Sequence, residues 1–185
     1  NRIWMSDVDQ YMEPVEIDDI MRAGGSIAVV EESKVNDVSV GDIIQGGMHG
    51  GWQDYFIVPG NDIIKLPKET GLPLTAFISV LGFTGPTAYF GLLDIGKPKK
   101  GETVVVSAAA GAVGSIVCQI AKIKECNVVA IAGSDEKCNW LKNELGVDIA
   151  INYKKENILE ALRLACPNGI DIYFDNVGGD TLDAA

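Results

Sequence analysis

Residues 102–117 read ETVVVSAAAGAVGSIV. An apolar, β-branched run ends at Ser107, an A-x-G-x-x-G loop follows over Ala109–Gly114, and apolar residues at 113, 116, 117, 120 and 121 then recur at helical spacing. A strand, a glycine loop and a helix in this order leave unpaired N–H groups at the helix start, where phosphate oxygens can bind. Gly111 lets the backbone come close to a diphosphate and Gly114 lets helix and strand pack tightly. Ala109 stands where the usual first glycine would be, so the turn must tolerate a Cβ. The competing reading of such a loop is a tight turn chosen for packing.

Toward the C-terminus strands and helices alternate. NVVAIA (127–132), a helix over 135–145, DIAIN (148–152), a helix over 156–166, DIYFDN (171–176) and the start of another helix follow one another. That alternation predicts right-handed βαβ crossovers and a parallel sheet buried on both faces. The fold class is α/β: a Rossmann-type parallel sheet domain over 101–185. Four strands are predicted where a full domain commonly has about six. With Asn1 in place of a start residue and Ala185 just inside a helix, the expectation is a stretch of a longer protein, the sheet truncated at its C-terminal end.

Toward the N-terminus the texture changes. LPLTAFISVLG (72–82) and PTAYFGLLDIG (86–96) have helical length and spacing, broken by Gly82, Gly85 and Pro86, and Lys97–Lys100 makes a solvated connector. Residues 71–100 therefore connect two domains. Before them, VEIDDIM (15–21), SIAVVEES (26–33), DIIQG (42–46), WQDYFIVP (52–59) and DIIKL (62–66) are short apolar runs parted by turn signals such as Gly24-Gly25 and Gly46-Gly47. Residues 1–70 read as part of a β-rich, barrel-like domain.

Composition excludes several function classes. With 47% hydrophobic and 22% charged residues the chain is an ordinary globular one. Its formal net charge of −11 has the wrong sign for non-specific attraction to nucleic acid or anionic lipid. No uncharged apolar run reaches the roughly 18 residues of a membrane span. Cys118, Cys126, Cys138 and Cys166 form no C-x-x-C pair, which points to reduced thiols and a cytoplasmic protein. His49, the one histidine, reads as a solvated loop residue and leaves no room for a Ser-His-Asp triad or a multi-histidine metal site.

The second strand of the sheet bears on which nucleotide would bind. In an NAD site it commonly ends in an acid that accepts the ribose 2′-hydroxyl, but here NVVAIA runs into Gly133-Ser134. Lys137 then falls in the first helical turn, where a cation opposes the macrodipole. Shared with an anion, that position makes sense for the 2′-phosphate of NADP(H); the alternative is an exposed surface lysine. Tyr153 either stacks near the adenine or bonds the same phosphate, or it merely covers the sheet. Asn176 lies at a carboxyl end of the sheet, where ligands collect, or serves as a turn former before Gly178-Gly179.

SAAAGAVGS, AGSDEK, NYK and FDNVGG in this order, with LGFTGPTAYFGLL and RIWMSD before them, resemble the zinc-independent medium-chain dehydrogenase/reductase superfamily. Within it they are most similar to the family of prostaglandin reductases, leukotriene 12-hydroxydehydrogenases and NADPH-dependent alkenal double-bond reductases. The resemblance runs over essentially the whole chain. It implies that residues 1–70 are part of an N-terminal GroES-like catalytic domain. It also implies NADPH as cofactor, hydride transfer to the β-carbon of α,β-unsaturated aldehydes or ketones, no metal, and a homodimer. By position it assigns Gly111, Ala112, Val113 and Gly114 to the diphosphate, Gly133, Lys137 and Tyr153 to the adenosine phosphate, and Asn176 to the length of the cofactor. Thr87 would lie near the nicotinamide, or cap a helix. The family's substrate-contacting tyrosines would fall before Asn1 and after Ala185, so no catalytic residue is assigned. A quinone reductase of the same superfamily and a non-catalytic NADPH-binding protein are the other readings.

Overall fold

The computed structural model describes residues 26–185 apart from 48, 51, 52 and 70, and the apolar run at 15–21 and the turn at Gly24-Gly25 lie outside the described residues. The chain divides into two compact units between Ile78 and Ser79.

In the first unit, β1 (Ile27–Val29), β2 (Ile43–Gln45) and β3 (Ile64–Lys65) form an antiparallel sheet in chain order. Ala28 pairs with Ile44, which pairs in turn with Lys65. Val30, Val38 and Ile44 make a small core, with Ala28, Val58 and Ile63 against it. Asp42, just before β2, is buried, accepts from the Ser39 amide at 2.9 Å and meets the ammonium groups of Lys65 and Lys68. The run at 53–59 is not a strand. It supplies side chains instead of a ladder: Val58 enters the core, and the Phe56 ring lies so close to Gly46 that a Cβ there would meet it at 2.6 Å.

The helical segments that come next in the chain differ from the sequence expectation. Over 72–82 only one 3-10 turn forms, Leu74–Ile78 in the tail of the first unit, closed by the Ala76 amide on the Pro73 carbonyl at 2.9 Å. Gly85 and Pro86, expected to break the chain, lie inside the first turn of α1 (Thr84–Phe90). Proline is tolerated there because its missing N–H would have had no intrahelical acceptor. A π-helical turn, Gly91–Gly96, continues α1 and stops at Lys97, whose φ is 52°.

The rest follows the predicted alternation. β4 (Thr103–Val106), α2 (Ala112–Ile123), β5 (Asn127–Ala132), α3 (Asp135–Asn143), β6 (Ile149–Asn152), α4 (Ile158–Ala165), β7 (Ile172–Phe174) and α5 (Gly179–Ala184) build a parallel sheet of order β6-β5-β4-β7. This is a Rossmann-type sheet. Alternation along the strands sorts its faces: Val104, Val106, Val128 and Ala130 pack with α1, α2 and α3, while Val105, Val129, Ile131 and Ile151 pack with α4. All four cysteines are buried and free. Among the described residues no helix is long and apolar enough to cross a membrane.

Candidate functional site

The strand order fixes where a ligand can sit. From β4 the chain steps to β5 and β6 on one side, then returns to place β7 on the other, and in open parallel sheets such a reversal of strand order is where ligands commonly bind, at the carboxyl ends of the strands. Three clusters stand at the carboxyl ends of the strands.

The first is the β4–α2 turn. Ala108 adopts a left-handed φ of 44°, which aims its carbonyl back into the turn, where it accepts from the Gly111 amide at 2.8 Å. The Ala109 amide donates to the Ile131 carbonyl at 3.0 Å and ties the loop to β5. Ala109 itself is fully buried, so the turn does accommodate its Cβ. Gly111 is the N-cap of α2, extended at φ −84° and ψ 175°, and offers no side-chain cap. The first helical bond runs from the Ser115 amide to the Gly111 carbonyl at 2.9 Å. The amides of Ala112, Val113 and Gly114 therefore have no acceptor among the described residues. Three free donors at the positive end of a twelve-residue helix fit a diphosphate. Gly114 is where packing forbids a side chain, since a Cβ there would lie 2.4 Å from the Ala108 oxygen and 2.8 Å from the Ala109 Cα.

The second cluster is the β5 tip. Ser134 caps α3, its hydroxyl accepting from the Lys137 amide at 3.3 Å. The Lys137 side chain is exposed and forms no ion pair or hydrogen bond among the described residues. Tyr153 is half exposed and lays its ring against Gly133, close enough that a Cβ at 133 would meet both ring and hydroxyl at 3.0 Å. Gly133 and Tyr153 are thus one surface. Beside them Asp135 is drawn toward β6, where its Oδ1 accepts from Asn152 Nδ2 at 2.6 Å and its Oδ2 meets the Lys155 ammonium. The Lys155 contact, then the Asn152 bond, hold this carboxyl below the usual range.

The third cluster bridges β4 and β7. Ser107, fully buried at the end of β4, donates its hydroxyl to Asp175 Oδ1 at 3.0 Å and accepts from the Asn176 amide at 2.7 Å. Asn176 Nδ2 donates to the Ser107 carbonyl at 2.9 Å, which fixes the side chain and leaves Oδ1 without a donor among the described residues. Asp175 Oδ1 also accepts from the amides of Val177 and Gly178, so its carboxyl is held below the usual range, chiefly by those two bonds. Asp175 thus forms the turn, while the Asn176 side chain is tied across to Ser107 at the carboxyl end of β4.

Thr87 does not cap α1: its hydroxyl donates to the Phe83 carbonyl at 2.8 Å, a bond within the helix. His49 is exposed, as a loop residue should be, but shares a 2.9 Å hydrogen bond with Asp62. No group of three or more His, Cys, Asp or Glu side chains among the described residues is arranged to hold a metal ion. Sequence reasoning overlooked Ser107, Asp175, Asn152 and Lys155. The signals were a small polar residue closing an otherwise apolar strand, and polar residues packed around NYKK.

Residues 112–185 match a family model described as zinc-binding dehydrogenase, and residues 1–66 match one described as the N-terminal domain of oxidoreductase. Over 180 residues the chain is 47% identical to the NADPH-dependent curcumin reductase of Escherichia coli, covering 97% of this chain and 51% of the relative. Over 164 residues it is 52% identical to prostaglandin reductase 1 of Mus musculus, covering 87% of this chain and 49% of the relative. The crystal structure of CurA from Vibrio vulnificus in complex with NADPH superposes with a TM-score of 0.88 at 46% identity, covering 99% of this chain and 53% of that one. The chain spans about half the length of the curated relatives it matches.

Proposed function

Because the chain belongs to the zinc-independent medium-chain dehydrogenase/reductase family, we propose that it holds NADPH and forms the cofactor-binding part of a reductase. That reductase saturates the carbon–carbon double bond of α,β-unsaturated aldehydes or ketones. The observation that carries this reading is the trio of free amides at 112–114, in a chain 47% identical over 180 residues to a reductase named for NADPH. The first unit is, in this reading, part of the catalytic domain.

When bound, NADPH supplies the hydride that passes to the β-carbon. The chain's own residues bind and orient. The amides of Ala112, Val113 and Gly114 take the diphosphate, with Gly111 clearing space for its approach. Gly133 and Tyr153 form the surface beneath the adenosine end, and the unpaired Lys137 ammonium takes the 2′-phosphate. Asn176, locked to Ser107, turns Oδ1 toward the cofactor as an acceptor for a ribose or carboxamide donor.

The test is a calorimetric titration of the chain with NADPH and NADH. A charge-assisted contact is worth about 1.5–3 kcal/mol, so NADPH should bind roughly 10- to 100-fold more tightly. Equal affinities would remove the cofactor assignment. For the substrate, a full-length protein carrying this chain should oxidise NADPH with alkenals and enones and yield the saturated carbonyl; turnover of quinones alone would replace the enone reading.

A further inference from the structure

The acid that opens α3 stands where it should do harm. Asp135 follows Gly133-Ser134 directly and comes two residues before Lys137, so a free carboxylate there would repel a phosphate placed at the β5 tip. The structure does not leave it free. Asn152, only 6% exposed, has its orientation fixed from its own strand end: its Oδ1 accepts from the Lys154 amide at 3.2 Å, while its amide N–H donates to Glu156 Oε1 at 2.9 Å. Nδ2 is left to face Asp135, which it meets at 2.6 Å. Lys155 then adds a full positive charge to the other carboxylate oxygen. Glu136, about 100° further round the helix, is exposed and makes no hydrogen bond or ion pair among the described residues.

We propose that Asn152 and Lys155 are positioning residues for cofactor choice: by turning Asp135 toward β6 and cancelling its charge, they let the β5 tip accept a 2′-phosphate beside Lys137. This rests on the reading that NADPH binds at that tip. The acid lies close to where an NAD site keeps its ribose-binding carboxylate, and its neutralisation, rather than its absence, is what suits the surface to the phosphorylated cofactor. Lys155 serves this end without touching the cofactor.

The test is a titration of NADPH and NADH into the unaltered chain, Lys155→Met, and the double variant Asp135→Asn with Lys155→Met. Lys155→Met leaves an uncompensated carboxylate and should weaken NADPH by about three- to tenfold with NADH changed less than about twofold. The double variant removes the charge as well as its partner and should recover NADPH binding to within about twofold, although it has lost more of the clamp's contacts. A merely structural clamp would behave in the opposite way, with the double variant no better than the single. Equal effects on both cofactors, or no recovery, would overturn the proposal. If the unaltered chain shows no preference for NADPH, the cofactor reading fails and the clamp falls with it; if the preference is present and Lys155→Met leaves it unchanged, the clamp alone is wrong.

Discussion

Replacing Gly114 by alanine places a methyl group against backbone on two sides. The new Cβ would lie 2.4 Å from the Ala108 oxygen, 2.8 Å from the Ala109 Cα and 3.0 Å from the Ala108 carbonyl carbon, so the carbonyl must retreat by about 1 Å to reach ordinary contact. It cannot do so freely. The Gly111 amide holds the same oxygen at 2.8 Å, and the Ala109–Ile131 bond fixes the next peptide to β5. Overpacking costs about 1–3 kcal/mol, and an all-backbone obstacle belongs at the upper end. Alanine's better helix propensity offsets up to about 1 kcal/mol, leaving a net loss near 2 kcal/mol. At about 4 °C per kcal/mol the melting midpoint of the second unit, followed by circular dichroism, should fall by roughly 8 °C. Gly111→Ala is the contrasting perturbation. Its extended backbone suits any residue, and its Cβ would meet only the Ala108 oxygen, at 3.0 Å, so stability should change by less than about 1 kcal/mol. The rest of that Cβ's surroundings is the open space into which the diphosphate is proposed to come, so NADPH affinity should fall by about tenfold or more. A Gly114→Ala variant melting no lower than the unaltered chain, or a Gly111→Ala variant losing as much stability as Gly114→Ala, would refute the reasoning.

Other expectations concern charge and protonation. Lys137→Ala should weaken NADPH by roughly 10- to 100-fold and NADH by less than about twofold in the same titration, since only the former has a phosphate for the ammonium to meet. The Asp42 carboxyl is held well below the usual range, first by Lys65 and then by the Ser39 amide. Its contribution is therefore complete above the unfolded value of about 3.9 and is lost as pH falls through the lower folded value; Asp42→Asn should destabilise the first unit at neutral pH and flatten its acid unfolding curve. Burial pushes the Cys118 thiol up to about 12 and raises the other three as well. A thiol reagent at pH 8 should label the folded chain no faster than it opens, and thiol ionisation should erode stability as pH climbs above about 8.5 toward 12.

The α/β half of the chain was legible because each of its signals is local. NVVAIA became a strand over the same six residues as expected, and the glycine loop carried its helix start with it, since neither depends on what packs from elsewhere. The first unit was less legible. A run such as 53–59 has a strand's composition, but whether it pairs depends on a neighbouring backbone that the sequence does not name. LPLTAFISVLG has helical spacing, yet only Ala76 of its 3-10 turn is buried, so the periodicity had no core to face. At the site the limit was similar. Tyr153 was visible as an aromatic at a strand end, but that its ring covers Gly133 is a contact across two strands; the Asn152–Asp135 bond joins residues 17 apart, and the Ser107–Asn176 pair 69 apart.

Those long-range bonds have one thing in common, and it explains why the missed residues are polar. A parallel sheet ends with its strand carbonyls and the next helix's amides facing the same edge, so each strand end in turn needs side chains that use some of these groups and leave others open. At β7 and β4 the side chains of Ser107, Asp175 and Asn176 bond to one another and to the neighbouring backbone. At β5 and β6, Asn152 and Lys155 occupy the carboxylate. At the β4–α2 turn no side chain caps the helix: an alanine held at a left-handed φ, which costs about 1–2 kcal/mol, closes the turn with its carbonyl and leaves three amides without an acceptor among the described residues. A serine or aspartate at 111 would cap the helix and add about 1 kcal/mol. Glycine there forgoes that stabilisation, which the diphosphate of the proposed cofactor would supply in its place.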